Sequence, residues 1–278
     1  MKFLILSLLS FLSFAQIKTQ FLFEFGEFSN ASSFTISSGG IIYVTDLNRN
    51  EISSFDTLGN KLKDVGGFGW QSGLFDQPVD IFANPLVVYV ADKNNHRIQQ
   101  FDRNLNFISS LSSRSEDFES NFGFPLSLAV SNQGDLFILD GENKRVIKFD
   151  MFGNFLTSFG GIDGGNFKLK KPSSLSVDSK GLVFVSDDKT LNIFDSFGNG
   201  LNKVNFNHQI KSIRIIFNDY VIVTKNSIQK LIIENESLKI EPVEILDVKF
   251  SEIKSALIFN HKLYLLSFNK IKVLSIVQ

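Results

Sequence analysis

The sequence predicts an all-β fold, a β-propeller of four-stranded blades, because one pattern of short apolar runs and polar turns recurs along the chain. Four segments carry this pattern, namely residues 41–65, 86–111, 136–159 and 182–206. The aspartates that close the first run of each segment are 46, 48 and 47 residues apart, and they are Asp46, Asp92, Asp140 and Asp187. A period of roughly 40 to 50 residues with only strand signals is typical of propeller blades, which bury their faces against neighbouring blades.

Three prolines give a second, independent marker of the same period. Pro78, Pro125 and Pro172 are spaced 47 residues apart, and each follows a long polar loop. A proline at the first residue of a strand loses no ladder hydrogen bond. These prolines are therefore predicted to begin the innermost strands of the second, third and fourth units.

The chain begins with a pattern typical of a secretory signal peptide. Lys2 precedes an apolar stretch over residues 3–12, and small residues end at Ala15. We expect residues 1–15 to be a signal peptide and residues 16–278 to form one domain, exported to a periplasm or to the outside of the cell. No other run reaches the roughly 18 apolar residues of a membrane helix. The absence of cysteine excludes disulfides and thiolate chemistry.

Strands follow in a regular order after this leader. Residues 20–26 resemble residues 154–160, the end of the third unit, so the domain is predicted to begin with a fourth strand. Glycine-asparagine pairs, at residues 59–60, 153–154 and 198–199, follow Phe-Asp pairs and provide the positive φ of tight hairpins. Each pair is predicted to connect the third strand of a unit to the fourth.

The repeat weakens after residue 206, but the strand rhythm continues. Residues 210–243 are predicted to form a fifth blade, and residues 252–277 three strands of a sixth. The N-terminal strand would supply the missing fourth strand and cover an exposed sheet edge. The expected fold is a six-bladed propeller of four-stranded blades, closed by pairing the N-terminal strand with the last three C-terminal strands.

Composition and motifs argue against several classes of function. A formal net charge of −1 is typical of proteins that do not bind nucleic acid. The sequence has no phosphate-binding loop, nucleophile elbow or dinucleotide fingerprint. The histidines, His96, His208 and His261, fall in loops at opposite ends of the predicted blades and cannot converge on one metal. We expect no catalytic residue, no metal and no cofactor.

Units two and three resemble the NHL repeat. The resemblance lies in Asp92, residues 95–98 and Phe101-Asp102, with the lead-in Gly73-x-Phe75-x-x-Pro78. It is specific in units two and three, fair in one and four, and covers about residues 26 to 206. It implies a six-bladed propeller whose broad face, carrying the turns between second and third strands and the loops between blades, binds a partner. Similar proteins include protein-binding modules, sensor ectodomains, RNA-binding domains and a peptide-amidating lyase.

The recurring polar residues are predicted to hold the blades together. Aspartate can cap backbone amides at the turn, and arginine can pack beside it. This structural set comprises Asp46, Asp92, Arg97, Asp140, Arg145 and Asp187, with Pro78, Pro125 and Pro172. The alternative for Asp92, Asn94 and Arg97 is direct contact with a ligand.

Trp70 is the single tryptophan and lies in a glycine-rich loop, GGFGWQSG. An exposed aromatic side chain on a loop can anchor a binding partner. The alternative is that Trp70 folds over the blade beside Phe68. Basic residues on other loops could form a rim, so the candidate ligand-binding residues are Trp70, Phe68, Arg114, Lys168 and Lys170.

The leading functional hypothesis is an exported, non-catalytic binding or scaffold module that takes a protein, peptide or glycan on its broad face. A second hypothesis is a propeller enzyme, an amidating lyase or a lactone or ester hydrolase, with a metal in the central channel. Asp80 and Asp163 are the acidic residues nearest to such a site in the predicted fold. A third hypothesis is a structural subunit of an envelope or extracellular assembly.

Overall fold

A computed structural model describes residues 17–113, 119–234, 237–245 and 252–277. These residues form 24 β-strands and one short 3-10 helix. The predicted signal peptide, residues 1–15, and the candidate rim residue Arg114 lie outside the described residues.

The N-terminal strand and four antiparallel blades come first along the chain. The N-terminal strand is β1 (Ile17–Phe25). Blade 1 contains β2 (Ala31–Ile36), β3 (Ile42–Asp46), β4 (Glu51–Phe55) and β5 (Lys61–Gly66). Blade 2 contains β6 (Pro78–Ala83), β7 (Val87–Asp92), β8 (Arg97–Asp102) and β9 (Phe107–Ser112). Blade 3 contains β10 (Pro125–Val130), β11 (Leu136–Asp140), β12 (Arg145–Phe149) and β13 (Phe155–Phe159). Blade 4 contains β14 (Pro172–Val177), β15 (Val183–Asp187), β16 (Thr190–Phe194) and β17 (Gly200–Asn205), after the 3-10 helix Gly165–Phe167.

The remaining strands form one eight-stranded sheet, the closing sheet. Its C-terminal strands are β18 (Ile210–Ile216), β19 (Asp219–Thr224), β20 (Ile228–Glu234), β21 (Ser237–Glu244), β22 (Ser255–Phe259), β23 (Lys262–Leu266) and β24 (Ile271–Val277). The strand order is β18-β19-β20-β21-β1-β24-β23-β22, so β1 lies in the middle of the sheet.

The all-β propeller is confirmed, but the prediction of six four-stranded blades is wrong. The described residues form four four-stranded blades and one eight-stranded sheet. The difference arises from β1, which pairs antiparallel with β24, as expected, and in parallel with β21 through Ile17 and Lys18. The strand predicted from residue 20 omitted those two residues. Their pairing merges the last two groups of strands into one sheet.

Among the described residues, the first strand of each blade and the two edge strands of the closing sheet, β18 and β22, surround the propeller axis. Each of these strands contacts the next in the order β2, β6, β10, β14, β18 and β22. The ring is closed by contact between β22 and β2. Apolar side chains fill the space between neighbouring sheets, and phenylalanine is prominent among those that are fully buried: Phe34, Phe75, Phe101, Phe137 and Phe184. Burial of this aromatic surface between sheets is the main source of stability for a propeller of this kind.

Four hairpins on the face opposite the broad face share one hydrogen-bonded turn. In blade 3, the Asp150 carboxylate accepts the backbone N–H groups of Phe152 (2.9 Å) and Asn154 (2.8 Å) and the side-chain amide of Asn154 (2.8 Å). Asp56, Asp102 and Asp195 make the same bonds in the other blades. Blade 2 has Leu105 at the positive-φ position where the others have glycine, and this leucine is buried.

These hairpin aspartates should make stability depend on acid pH. The side-chain amide of Asn154 is the main cause that lowers the pKa of Asp150, and hydrogen bonds likewise lower the pKa of Asp56 and Asp102. Because the folded pKa lies below the unfolded value of about 3.9, the stabilisation is present above that value and is lost as pH falls through the folded pKa. Asp150→Asn should therefore lower the melting temperature at pH 7, and the difference should disappear once the pH has fallen through the folded pKa of Asp150.

Thermal melts at a series of pH values from 7 into the acid range would check this expectation. Asp163→Asn is the matched control, since Asp163 is exposed in the loop before β14 and outside the hairpins. A pH profile of Asp150→Asn that runs parallel to that of the unmodified protein would contradict it.

Candidate binding surface on the broad face

A buried ion pair organises the broad face of blade 2. Asp92 ends β7 and Arg97 begins β8, and Arg97 Nε lies 2.8 Å from a carboxylate oxygen of Asp92. The fully buried Asp92 also accepts the backbone N–H of Asp76 (2.8 Å) and the side-chain amides of Asn95 (2.9 Å) and Gln99 (3.3 Å). Burial raises the pKa of Asp92, while Asn95, the backbone N–H of Asp76 and Arg97 act in the opposite direction.

Arg97 uses its remaining donors to hold the loop between blades 1 and 2. Its guanidinium donates to the carbonyl oxygens of Trp70 (2.5 Å), Gln71 (3.0 Å) and Leu74 (2.8 Å). Asn95 donates to the carbonyl oxygen of Gly69 at 2.8 Å. The planar guanidinium suits this role because its five donors have a fixed geometry.

Two aromatic side chains of this loop face solvent. Phe68 is 75% exposed and Trp70 is 74% exposed, whereas Phe75 is fully buried. The backbone between them is held by Phe75 N–H to the carbonyl of Gly67 (2.9 Å) and Gly69 N–H to the carbonyl of Phe75 (3.0 Å). The structure therefore presents two exposed aromatic rings on a fixed backbone, and Trp70 does not fold over the blade.

Related aspartates hold the corresponding turns of the other blades. Asp140 lies 3.4 Å from Arg145, which donates to the carbonyl of Asn121 at 2.7 Å. Asp46 accepts the backbone N–H groups of Ser29 (2.6 Å) and Asn30 (3.1 Å). Asp187 accepts the N–H of Lys170 at 3.0 Å. Asn94, the other member of the possible ligand set, donates to Asp76 at 2.9 Å.

The basic residues predicted to form a rim are not brought to the aromatic loop. Lys168 and Lys170 are exposed in the loop between β13 and β14, whereas Phe68 and Trp70 lie between β5 and β6. Blade 2 and blade 3 each stand between these two loops along the chain.

The three prolines occupy the first positions of inner strands, with Pro78 in β6, Pro125 in β10 and Pro172 in β14.

Sequence reasoning missed a ring of polar side chains around the axis, which we call the axial ring. It comprises Ser33, Asp80, Ser127, Ser174, Ser212 and Ser255, each at or near the start of an inner strand. All six are at least 95% buried. The spacing of 47 residues from Ser33 to Asp80, to Ser127 and to Ser174 was visible in the sequence. That signal would have identified the ring.

Asp80 is the acidic member of the axial ring. It accepts the hydroxyl groups of Ser33 (2.6 Å) and Ser127 (2.5 Å) and the backbone N–H of Leu128 (3.0 Å). Arg214, on β18 of the closing sheet, donates to Asp80 at 2.5 Å and to Ser33 at 2.6 Å. This ion pair connects blade 2 with the closing sheet across the axis. Asp163, the other acidic candidate, lies in the exposed loop before β14.

The described residues contain no group of three or more His, Cys, Asp or Glu side chains that could hold a metal ion. The ring of His96 packs against Phe124 in a tilted arrangement, with ring centroids 4.7 Å apart, and a nitrogen of His208 lies 3.3 Å from Asn226. Within the part of the chain that the structure describes, no helix is long and apolar enough to cross a membrane.

Comparisons with known proteins locate the repeat in blade 3. The NHL repeat model matches residues 122–149. The chain is 32% identical over 143 residues to protein brain tumor of Drosophila melanogaster, a match covering 50% of this chain and 13% of that protein. It is 32% identical over 142 residues to the B-box type zinc finger protein ncl-1 of Caenorhabditis elegans, covering 50% of this chain and 16% of that protein. The chain thus spans less than a fifth of the length of either relative.

Solved structures share the propeller fold at low sequence identity. Streptogramin B lyase superimposes with a TM-score of 0.65 at 13% identity, over 93% of this chain and 98% of that chain. Virginiamycin B lyase from Staphylococcus aureus gives a TM-score of 0.63 at 15% identity, over 90% of this chain and 81% of that chain. At these identities the likeness concerns the fold. These comparisons show that the chain has the β-propeller fold and carries a match to the NHL repeat in blade 3.

Proposed function

We propose that this propeller is a non-catalytic module that binds a protein or peptide partner through the broad face of blades 1 and 2. The observation that carries this proposal is the pair of exposed rings, Phe68 and Trp70, on a loop whose backbone Arg97 holds. Tryptophan is enriched among the residues that contribute most to protein interfaces. An anchor that is already fixed loses little conformational entropy on binding, which favours affinity.

The surroundings of the two rings suit a protein ligand better than a catalytic reaction. Around them the loop offers backbone groups, the exposed residue Gln71 and the glycines Gly67, Gly69 and Gly73, which allow a partner's backbone to approach closely. An aromatic anchor surrounded by polar groups is typical of the centre and rim of a protein interface. The signal-like residues 1–15 support a partner located in a periplasm or outside the cell.

The proposal predicts that removing both rings weakens partner binding strongly. Phe68→Ala/Trp70→Ala should weaken the complex by about thirtyfold or more, because truncating a central aromatic anchor costs about 2 kcal/mol or more. The partner would first be captured by crosslinking in the native host, then purified, and its affinity for each variant measured by calorimetry.

The matched control is Phe152→Ala/Phe197→Ala, which removes two equally exposed rings from hairpins on the opposite face. This control should bind the partner normally. Unchanged affinity of Phe68→Ala/Trp70→Ala, or an equal loss in the control, would refute the broad-face proposal. Partner binding should also change the fluorescence of Trp70, the single tryptophan of the chain.

A further inference from the structure

A pocket of about 270 Å³ lies on the broad face between blades 2 and 3. Its lining comes from the turn between β7 and β8, the residue after β9, the loop before β10 and the turn between β11 and β12. The polar side chains of the lining belong to His96, Ser113, Asn121, Glu142 and Asn143. Sites for whole small molecules commonly measure about 300 to 1,000 Å³, so this pocket has the size for a single side chain. We call it the Glu142 pocket.

Blades 1 and 2 have a hydrogen bond between side chains at the corresponding place. The residue two positions after the turn aspartate is an asparagine in both blades, Asn48 and Asn94. Asn48 Nδ2 donates to the hydroxyl of Ser29 at 3.2 Å, and Asn94 Nδ2 donates to the carboxylate of Asp76 at 2.9 Å. Ser29 and Asp76 each lie two residues before an inner strand. The bond therefore joins the turn of each blade to the loop that enters the same blade.

Blade 3 departs from this pattern at both positions. Glu142 stands in place of the asparagine, and Gly123, two residues before β10, stands in place of the acceptor. The carboxylate of Glu142 lies against the backbone of Gly123, where a Cβ atom would collide with it. Among the described residues no hydrogen bond or ion pair involves this carboxylate, and Glu142 is exposed to solvent. Blade 3 therefore lacks a bond within the protein and has an anionic acceptor in the pocket instead.

The backbone around the carboxylate is fixed by hydrogen bonds. Gly123 N–H donates to the buried carboxylate of Asp140 at 3.1 Å, and Phe122 N–H donates to the hydroxyl of Ser113 at 2.8 Å. The side-chain amide of Asn143 also donates to Asp140, at 2.8 Å. A site whose walls are already in place loses little conformational entropy when a ligand binds.

The lysines of the two turns do not neutralise Glu142. Lys93 Nζ lies over the ring of Phe124, 5.8 Å from its centroid, and Lys144 is exposed to solvent. In the part of the chain that the structure describes, neither lysine pairs with Glu142. The ring of His96 lines the pocket and packs beside Phe124. The pocket thus combines an unpaired carboxylate with a flat ring.

A guanidinium group matches the carboxylate and the ring of His96. It is planar, can donate two parallel N–H bonds to one carboxylate, and packs its face on aromatic rings. Asn95, next to His96, donates to the carbonyl of Gly69 at 2.8 Å, so the pocket adjoins the loop that carries Trp70. We propose that the Glu142 pocket binds an arginine side chain of the partner. This inference rests on the proposed function and adds a basic residue to the partner segment that covers Trp70.

The first experiment uses N-acetylargininamide as the probe and its neutral isostere N-acetylcitrullinamide as the comparison compound. Binding to the full chain would be followed by the NMR shifts of backbone amides. Glu142→Asn gives blade 3 the residue that blades 1 and 2 have at this position, so folding should be retained. Glu27→Gln is the matched control, since Glu27 is an exposed carboxylate in the loop before β2. Circular dichroism would check that each variant is folded.

The probe should bind the unmodified protein and Glu27→Gln with a dissociation constant of about 1 mM and shift the amide signals of Gly123 and His96. Glu142→Asn should bind the probe about tenfold more weakly, and the unmodified protein should bind the citrulline compound about tenfold more weakly, because each change removes the charge-assisted pairing. The proposal is overturned if the probe gives no saturable shifts at these amides, if the two compounds bind alike, or if Glu142→Asn binds the probe normally.

A second measurement separates this inference from the proposed function. The affinity for the purified partner should fall about tenfold in Glu142→Asn, for the same reason. Normal partner binding by Glu142→Asn would overturn the arginine assignment, even where Phe68→Ala/Trp70→Ala binds poorly and the proposed function holds. If that double variant binds the partner normally while Glu142→Asn does not, the aromatic anchor is wrong and the arginine pocket stands.

Discussion

Replacing Asp80 by serine is expected to destabilise the propeller by about 3 to 5 kcal/mol, because Arg214 would remain buried near the axis without its carboxylate. The same change removes the acceptor of the Ser33 and Ser127 hydroxyls and of the Leu128 amide. For a domain of this size the loss corresponds to a melting temperature lower by roughly 10 °C. Urea unfolding followed by circular dichroism would measure it.

The repeat itself supplies the control for this experiment. The other axial ring positions have serine, and Ser176 occupies on β14 the place that Arg214 occupies on β18. The double variant Asp80→Ser/Arg214→Ser would therefore give both positions the serine that blade 4 has at Ser174 and Ser176. It should recover most of the stability that Asp80→Ser loses, since neither charge is left alone. If the double variant loses the sum of both single losses, the ion pair is not what stabilises the axis.

Replacing Arg97 by alanine should have an effect of similar size, about 3 to 5 kcal/mol, because Asp92 would stay fully buried without its cationic partner. The variant would also release the carbonyl groups of Trp70, Gln71 and Leu74. The fluorescence anisotropy of Trp70 should therefore fall in the folded variant. Urea unfolding would measure the loss in the free energy of unfolding.

The equivalent residue of blade 3 separates the two effects. Arg145→Ala also removes a partner from a buried aspartate, Asp140, but Arg145 does not contact the Trp70 loop. It should lower stability and leave the anisotropy of Trp70 unchanged. An unchanged anisotropy in Arg97→Ala would show that Arg97 does not hold the loop. Arg97→Lys should recover little of the stability that Arg97→Ala loses, because lysine lacks the planar set of donors of arginine.

The parts of the fold that follow from local chemistry were predictable from the sequence. Proline has no backbone N–H to donate to a neighbouring strand, so it is tolerated at the first residue of a strand. This is where Pro78, Pro125 and Pro172 lie in the inner strands. Asp150 and the glycine-asparagine pair after it marked a hairpin, which the structure shows. These signals work because the responsible contacts lie within a few residues along the chain.

The features that escaped prediction depend on contacts between distant parts of the chain. The pairing of Ile17 with Val243 merges two groups of strands, and no local pattern specifies it. The ion pair of Asp80 with Arg214 joins residues 134 positions apart, and Arg214 lies where the repeat motif has decayed. Exposure of Trp70 was likewise undecided, because it depends on how Arg97 holds the loop. Contacts of this kind do not recur from unit to unit, so they leave no periodic pattern in the sequence.

The position of β1 between β21 and β24 has a consequence for the kinetics of folding. The blades can assemble from neighbouring hairpins, but β1 meets strands more than 200 residues away, as in the bond from Ser275 to the carbonyl of Gln20. Contacts at such separation form late, because a long chain loop must close first. Interactions absent from the transition state mainly slow unfolding once they exist. The rate at which β1 detaches from β21 and β24 should thus set the lifetime of the folded propeller.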